Sequence, residues 1–317
     1  MRRVKQLRAC LLIVLGAAAA AAPAAAPTWR THAPLAAPRS EVAAAAVDRS
    51  IVIAGGFSDD GSTSSRVDAY DSGTDRWRRL ADLPVAANHA MAAAAAGRFY
   101  VAGGYGADGR RRRDAFVLAG GRWSRLPSMP VTRAAGGAAI IAGKLYVAGG
   151  VTGFSGVGDA RRLARTMLVL DLRTRRWTQL PGPTPREHLG VAALGGRLYV
   201  VAGRLAGLDT NLSVVEVFDP RTRRWQRLPA VPGARGGTGL AASSGALFSA
   251  GGEEPQASIP SVYRYTIRTR RWQRLPDLPT PRHGLAVVAL GGRVYAVAGG
   301  PTPGLSVSGA TESIATG

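Results

Sequence analysis

The sequence predicts an all-β chain folded as a six-bladed β-propeller, on three observations. Six tryptophans recur at nearly even intervals, a glycine pair recurs with the same period, and the apolar runs between them are short and show no amphipathic helix. The tryptophans stand at positions 29, 77, 123, 177, 225 and 272, giving intervals of 48, 46, 54, 48 and 47 residues. The glycine pairs read as Gly55-Gly56, Gly103-Gly104, Gly149-Gly150, Gly251-Gly252 and Gly299-Gly300, with Gly203-Arg204 in the fourth repeat. Seven residues before each tryptophan from the second onward stands an aromatic or a leucine: Tyr70, Phe116, Leu170, Phe218 and Tyr265.

Each repeat divides into four strands. The first is small and apolar (Val42 to Val47, Ala90 to Ala96), as crowding near a central axis requires. The second is a Val/Tyr/Ile run ending at the glycine pair, where the chain needs positive φ or close backbone approach. The third carries the aromatic and the fourth the tryptophan; packed between sheets, each large ring buries about 150–250 Å². Trp29 opens a fourth strand with no preceding three, and Thr311-Glu312-Ser313-Ile314 aligns with Val215-Glu216-Val217-Phe218 as a third strand with no tryptophan after it. The N-terminal segment Thr28 to Leu35 is therefore expected to complete the C-terminal blade, closing the ring and removing two sheet edges. A hydrophobic run, a glycine pair, and a Tyr and Trp so spaced resemble the kelch repeat. The resemblance covers the chain from about Trp29 onward and implies a propeller with one blade per repeat.

The 317 residues are 46% hydrophobic and 19% charged, an ordinary globular balance, so residues 27–317 are expected to form one folded domain. Basic Arg2, Arg3, Lys5 and Arg8, the apolar run Ala9 to Ala22, and small residues up to Pro27 read as a signal peptide over residues 1–26, or as an uncleaved anchor if Pro23 and Pro27 block processing. The expected location is outside the cytoplasm: secreted, periplasmic or in the cell envelope. Cys10, the only cysteine, lies in that leader, so the exported chain is expected to have no disulfide and no Cys-based metal site. The net charge is +21, with all but two of the cations arginine. That balance fits either an anionic partner or the codon bias of a GC-rich genome.

Before the first strand of five repeats sits an arginine, Arg39, Arg133, Arg186, Arg235 and Arg282, with Asn88 read in the same place in the second repeat. Sixfold placement puts them around one mouth of the channel. There they either present guanidinium forks to a carboxylate, sulfate, phosphate or acidic sugar, or bond backbone carbonyls between blades. Arg204, in a glycine position, reads as a strained turn and a further ligand contact, or as a relaxed turn without consequence. The surplus of the third repeat falls in the loop Val151 to Arg165, and Arg110 to Arg113 form a basic run in the equivalent loop of the second. Arg173, Arg175, Arg176 and their counterparts before Trp225 and Trp272 are placed on the outer rim.

The histidines His32, His89, His188 and His283 are few. His89, His188 and His283 lie 14, 15 and 16 residues before their glycine pairs, which reads as out of register, so no metal site is expected. No catalytic triad, phosphate loop or zinc spacing occurs.

The resemblance implies an exported bacterial propeller of the galactose-oxidase-like superfamily without its copper centre, since that chemistry needs a cysteine crosslinked to a tyrosine. The expected function is binding of a protein or an acidic glycan by the arginine-ringed face, as a monomer, with no cofactor and no nucleic-acid partner. Peripheral contact with an anionic cell envelope is a further expectation. Glu41, Glu187 and Glu253 fall near the same mouth, and the alternative is an epimerase or mutarotase acting on an acidic sugar, as in sialic-acid epimerases, with Glu187 or Glu253 as acid/base beside a ring arginine.

Overall fold

The computed structural model describes residues 27–154 and 161–317. The expected leader over residues 1–26 and part of the third-repeat loop lie outside these. Among the described residues there is no helix. Six antiparallel four-stranded sheets stand around one axis. In blade 1 the strands Ala43–Val47, Ser50–Ala54, Val67–Asp71 and Arg76–Arg79 are hydrogen-bonded in that order from axis to rim, and blades 2 to 5 repeat it. Blade 6 takes Ala286–Leu290, Arg293–Val297 and Thr311–Ala315 from the C-terminal end and Arg30–Thr31 from the N-terminal end. Arg30 pairs with Ser313 and Thr31 with Glu312, so the ring closes as expected.

The apolar core is divided into six wedges, one between each pair of neighbouring blades. The wedge that spans the closure holds Leu35 with Ile51, Ile53 and Tyr70 of blade 1 and Val288, Tyr295 and Val297 of blade 6. Each tryptophan indole donates Nε1–H to a backbone carbonyl of the preceding blade: Trp29 to Pro276, Trp77 to Ala33, Trp123 to Ala81, Trp177 to Pro127, Trp225 to Pro181 and Trp272 to Pro229. The periodic tryptophan thus serves twice, as apolar filler and as a hydrogen-bonded peg between blades.

The inner strands are small because they crowd. A Cβ built on Gly239 would come within 2.2 Å of Val287 on the next blade. In the glycine pair, the second position has φ of 98, 95, 87, 106, 126 and 97° at Gly56, Gly104, Gly150, Gly203, Gly252 and Gly299. There a Cβ would strike the carbonyl oxygen of the residue bridged across the loop, at 2.4 Å for Gly56 on Ser40 and 2.9 Å for Gly252 on Gly236. Gly252→Ala is expected to cost about 1–3 kcal/mol from backbone strain alone, read as a lower urea midpoint with an unchanged m-value.

That geometry corrects two alignments. In blades 4 and 6 the pair is Ala202-Gly203 and Ala298-Gly299, with the alanines held at φ 58°, whereas Arg204 has no positive φ. The strain expected at Arg204 is carried by Ala202. In blade 2 the outer hairpin turns through only Gly120 and Gly121, so Trp123 pairs with Leu118, not with Phe116, which faces Arg125. In blade 3 the extra residues include a two-stranded ribbon, Val151–Phe154 against Arg161–Leu163.

Candidate functional site

The five arginines do not ring the mouth. Arg39, Arg133, Arg186, Arg235 and Arg282 are 0–1% exposed. Their guanidinium groups donate to backbone carbonyls of their own blades: Arg39 to Gly55 and Arg66, Arg133 to Gly149 and Thr166, Arg235 to Gly251 and Ser261. Arg186 bonds Ala202 and Val200, and Arg282 bonds Thr280 and Ala296. Buried carboxylates complete three of them, Asp68 on Arg39, Glu216 on Arg186 and Glu312 on Arg282. Burial lowers the guanidinium pKa at all five, to about 10 at Arg39, Arg133 and Arg235. Of the two roles open from sequence, their geometry is that of bolts for the loops that cross each blade. Asn88 is not their counterpart: its bridge to Tyr105 makes it the equivalent of Ser40, Ala134, Glu187, Gly236 and His283 in the other blades, and Ala87 fills the arginine place.

One residue further on, the chain reaches the axis. Glu41, His89, Ala135, His188, Gly237 and Gly284, one per blade, all have φ between 50 and 70°. Their backbones form a closed belt in which each N–H donates to the carbonyl of the preceding blade: Glu41 to Gly284, His89 to Glu41, Ala135 to His89, His188 to Ala135, Gly237 to His188 and Gly284 to Gly237, at 2.8–3.0 Å. The positive φ turns the chain from crossing the face to descending along the channel. Non-glycine residues held there carry strain of roughly 1 kcal/mol or more each.

The belt's side chains converge. His89 Nε2 is 3.0 Å from His188 Nε2 and 3.3 Å from Glu41 Oε2, with His188 Nε2 3.9 Å from the same oxygen. The imidazoles, from blades 2 and 4, are nearly perpendicular and meet past the small Ala135 of blade 3. His283 Nδ1 lies 3.4 Å from Glu41 Oε1 and 3.6 Å from Glu253 Oε2, while its Nε2–H donates to Thr302 O. Arg204 lies between Glu187 and Glu253, 3.4 and 2.7 Å away. Three sequence candidates, Arg204, Glu187 and Glu253, are thus brought together, each buried.

Burial disfavours charge on Glu41, but the facing histidines prevail and hold its carboxyl well below the usual range. Burial takes His89 down to about 4 despite Glu41. At His283 burial again opposes charge, and Glu41 and Glu253 overcome it to raise the pKa. The cluster therefore sets carboxyl groups and a guanidinium around His283, whose protonated form Glu41 and Glu253 favour, beside His89, whose neutral form burial favours.

Sequence spacing missed this because the fourth and sixth glycine pairs were set one residue late. Counted to Gly103 and Ala202, His89 and His188 are in register. His32 stays apart, against Tyr70, Tyr295 and Ser313.

Around the knot the face is built of the long connections. An open pocket of about 530 Å³ beside His89 and His188 is walled by Phe57 and Tyr105. Arg110 to Arg113 lie on the same face, partly or fully exposed, Arg112 within 3.4 Å of Asp108. Below the belt the channel is lined chiefly by alanine and valine. The opposite face has tight turns bearing exposed Arg173, Arg175, Arg176, Arg221, Arg223, Arg224, Arg268, Arg270 and Arg271.

Six four-stranded blades, closed by the chain ends and punctuated by glycine pairs and tryptophans, define a repeat propeller. The chain belongs to the Kelch-repeat family: the family described as KLHDC2/KLHL20/DRC7 Kelch-repeats domain matches residues 88–300, and the Kelch motif matches residues 38–84. It is similar to Kelch-like protein terF of Aspergillus terreus, 34% identical over 101 residues, which are 30% of this chain and 22% of that protein. It is also similar to Kelch repeat and BTB domain-containing protein 13 of Homo sapiens, 32% identical over 105 residues, 32% of this chain and 23% of the relative. The alignment spans about a fifth of the length of these curated relatives.

Proposed function

We propose that this propeller is an exported, monomeric protein-binding module that takes its partner on the face with the long connections. Kelch propellers generally serve protein interaction, and one observation supports this face: the large apolar side chains left exposed among the described residues, Val131, Leu205 and Leu305, all stand on its loops, at 37, 45 and 61% exposure. Val131 and Leu205 share a groove of about 700 Å³ with Leu163 and Pro185, and Arg162 and Arg165 border it. An apolar floor with a cationic border suits a peptide segment carrying a large apolar side chain next to acidic residues. With the five arginines buried, the acidic-glycan reading has lost its guanidinium ring.

A displayed peptide library and an acidic-glycan array, probed in parallel, test this. Peptides with an apolar residue flanked by Asp or Glu are expected to be enriched. Leu205→Asp, at an exposed site, is expected to weaken them by about 10–100-fold, the worth of one buried leucine, with unchanged melting. Glycan binding without peptide enrichment, or peptides indifferent to Leu205→Asp, would overturn the reading. Export is tested by N-terminal sequencing of the protein from the extracytoplasmic fraction; a cytoplasmic chain with its leader intact would remove that part. The arginine-bearing opposite face is proposed to meet anionic envelope material, and association that ignores added salt would count against it.

A further inference from the structure

We propose that Glu41, His89 and His188 bind one divalent transition-metal ion of the Zn²⁺ class, with a coordination position open to the pocket walled by Phe57 and Tyr105. Three kinds of observation carry this. The first is the donor set. Two imidazole nitrogens and one carboxylate oxygen, from three different blades, lie 3.0, 3.3 and 3.9 Å from one another. Donors about 2.0–2.2 Å from a tetrahedral ion are separated by roughly 3.3–3.6 Å, so this triangle matches one ion with little adjustment. Two imidazoles and a carboxylate select a borderline metal over Mg²⁺ or Ca²⁺.

The second observation is where the protons sit. Asn88 Nδ2 donates to Thr63 Oγ1, which turns Asn88 Oδ1 toward His89 Nδ1 at 2.6 Å. An acceptor there places the ring proton on Nδ1 and leaves Nε2 a bare lone pair. His188 Nδ1 lies 3.2 Å from Glu187 Oε1, so an ion on Nε2 would set the ring proton on the side of that carboxylate. The His89 Nε2 lone pair then faces His188 Nε2 and the Glu41 carboxylate, so that three ligand atoms converge on one point. Acceptors behind the imidazoles are also the outer shell that orients metal-binding histidines.

The third is charge and access. Glu41, Glu187 and Glu253 bring three carboxyl groups to this cluster, with Arg204 and His283 beside them. His283 engages Glu41 through Oε1, so that Oε2 is the oxygen turned to the histidines. His89 and His188 line the open pocket, so a ligand or water can reach the ion from outside. Three protein donors with an accessible fourth position is the pattern of ions that bind exchangeable ligands.

The test is titration of the tag-free, EDTA-treated protein with ZnCl₂ by calorimetry, with Co²⁺ as an absorbing substitute. One Zn²⁺ per chain is expected, and visible Co²⁺ bands that Zn²⁺ bleaches. His89→Ala/His188→Ala should lose affinity by more than about 100-fold, and Ala135, at the same belt position, shows that alanine is compatible with that backbone. Should the double variant fail to fold, Glu41→Gln alone is expected to weaken binding at least tenfold. No binding by the folded wild type at about 1 mM Zn²⁺, or affinity unchanged in a folded variant, overturns the site.

Discussion

Deletion of residues 27–35 is expected to leave a chain that no longer melts cooperatively and that self-associates, read as a flattened circular-dichroism transition and a rising mass by light scattering. That segment supplies the outer strand of blade 6, the Trp29 peg to Pro276 and the buried Leu35, which is 2% exposed between blades 6 and 1. It also provides the Ala33 carbonyl that receives Trp77. Without it, the strand Thr311–Ala315 has an unpaired edge, a template for pairing with another chain. The opened wedge exposes Tyr70 and Tyr295 to water. A truncated protein with the melting curve and mass of the intact one would disprove closure by this strand.

The second large effect is expected from Arg282→Ala. Arg282 is fully buried, donates to Thr280 O and Ala296 O, and pairs with Glu312 at 2.7 Å. Removing it leaves Glu312, 3% exposed, with the Thr280 hydroxyl as its one remaining side-chain partner among the described residues. An uncompensated buried charge costs about 3–5 kcal/mol, a fall of roughly 10 °C in Tm for a domain of this size. Arg133→Ala is the comparison. Arg133 bonds two carbonyls and has no carboxylate partner among the described residues, so its loss is expected to cost less. A ligand-facing guanidinium would instead leave the melting temperature unchanged in both variants. Equal losses in the two would remove the stranded carboxylate as the cause.

Much of the fold was legible because the repeat is a local code. The apolar inner strand, the glycine turn and the tryptophan strand are each written within one repeat, so their recurrence counts the blades. The lone Trp29 and the tryptophan-less tail showed how the ring closes. The site was legible only in part. Glu187, Glu253 and Arg204 were picked out, whereas the arginine ring was left open between ligand contact and scaffolding, and the histidines were set aside. Both points turn on the hub, where successive residues are a bolt inside the blade, such as Arg186, the bridge residue Glu187 and the belt residue His188. Ala202 and Ala298 standing in glycine positions hid that register.

Blade number, strand order and closure were determined by the sequence alone, since they follow from patterns repeated at fixed spacing and from apolar surfaces that must be buried. Which side chains meet on the axis was decided only by the tertiary structure. Glu41, His89 and His188 are remote in the chain and become neighbours because six blades bring six belt residues into one hydrogen-bonded circle. There a shift of a single residue exchanges a side chain buried within a blade for one facing the channel.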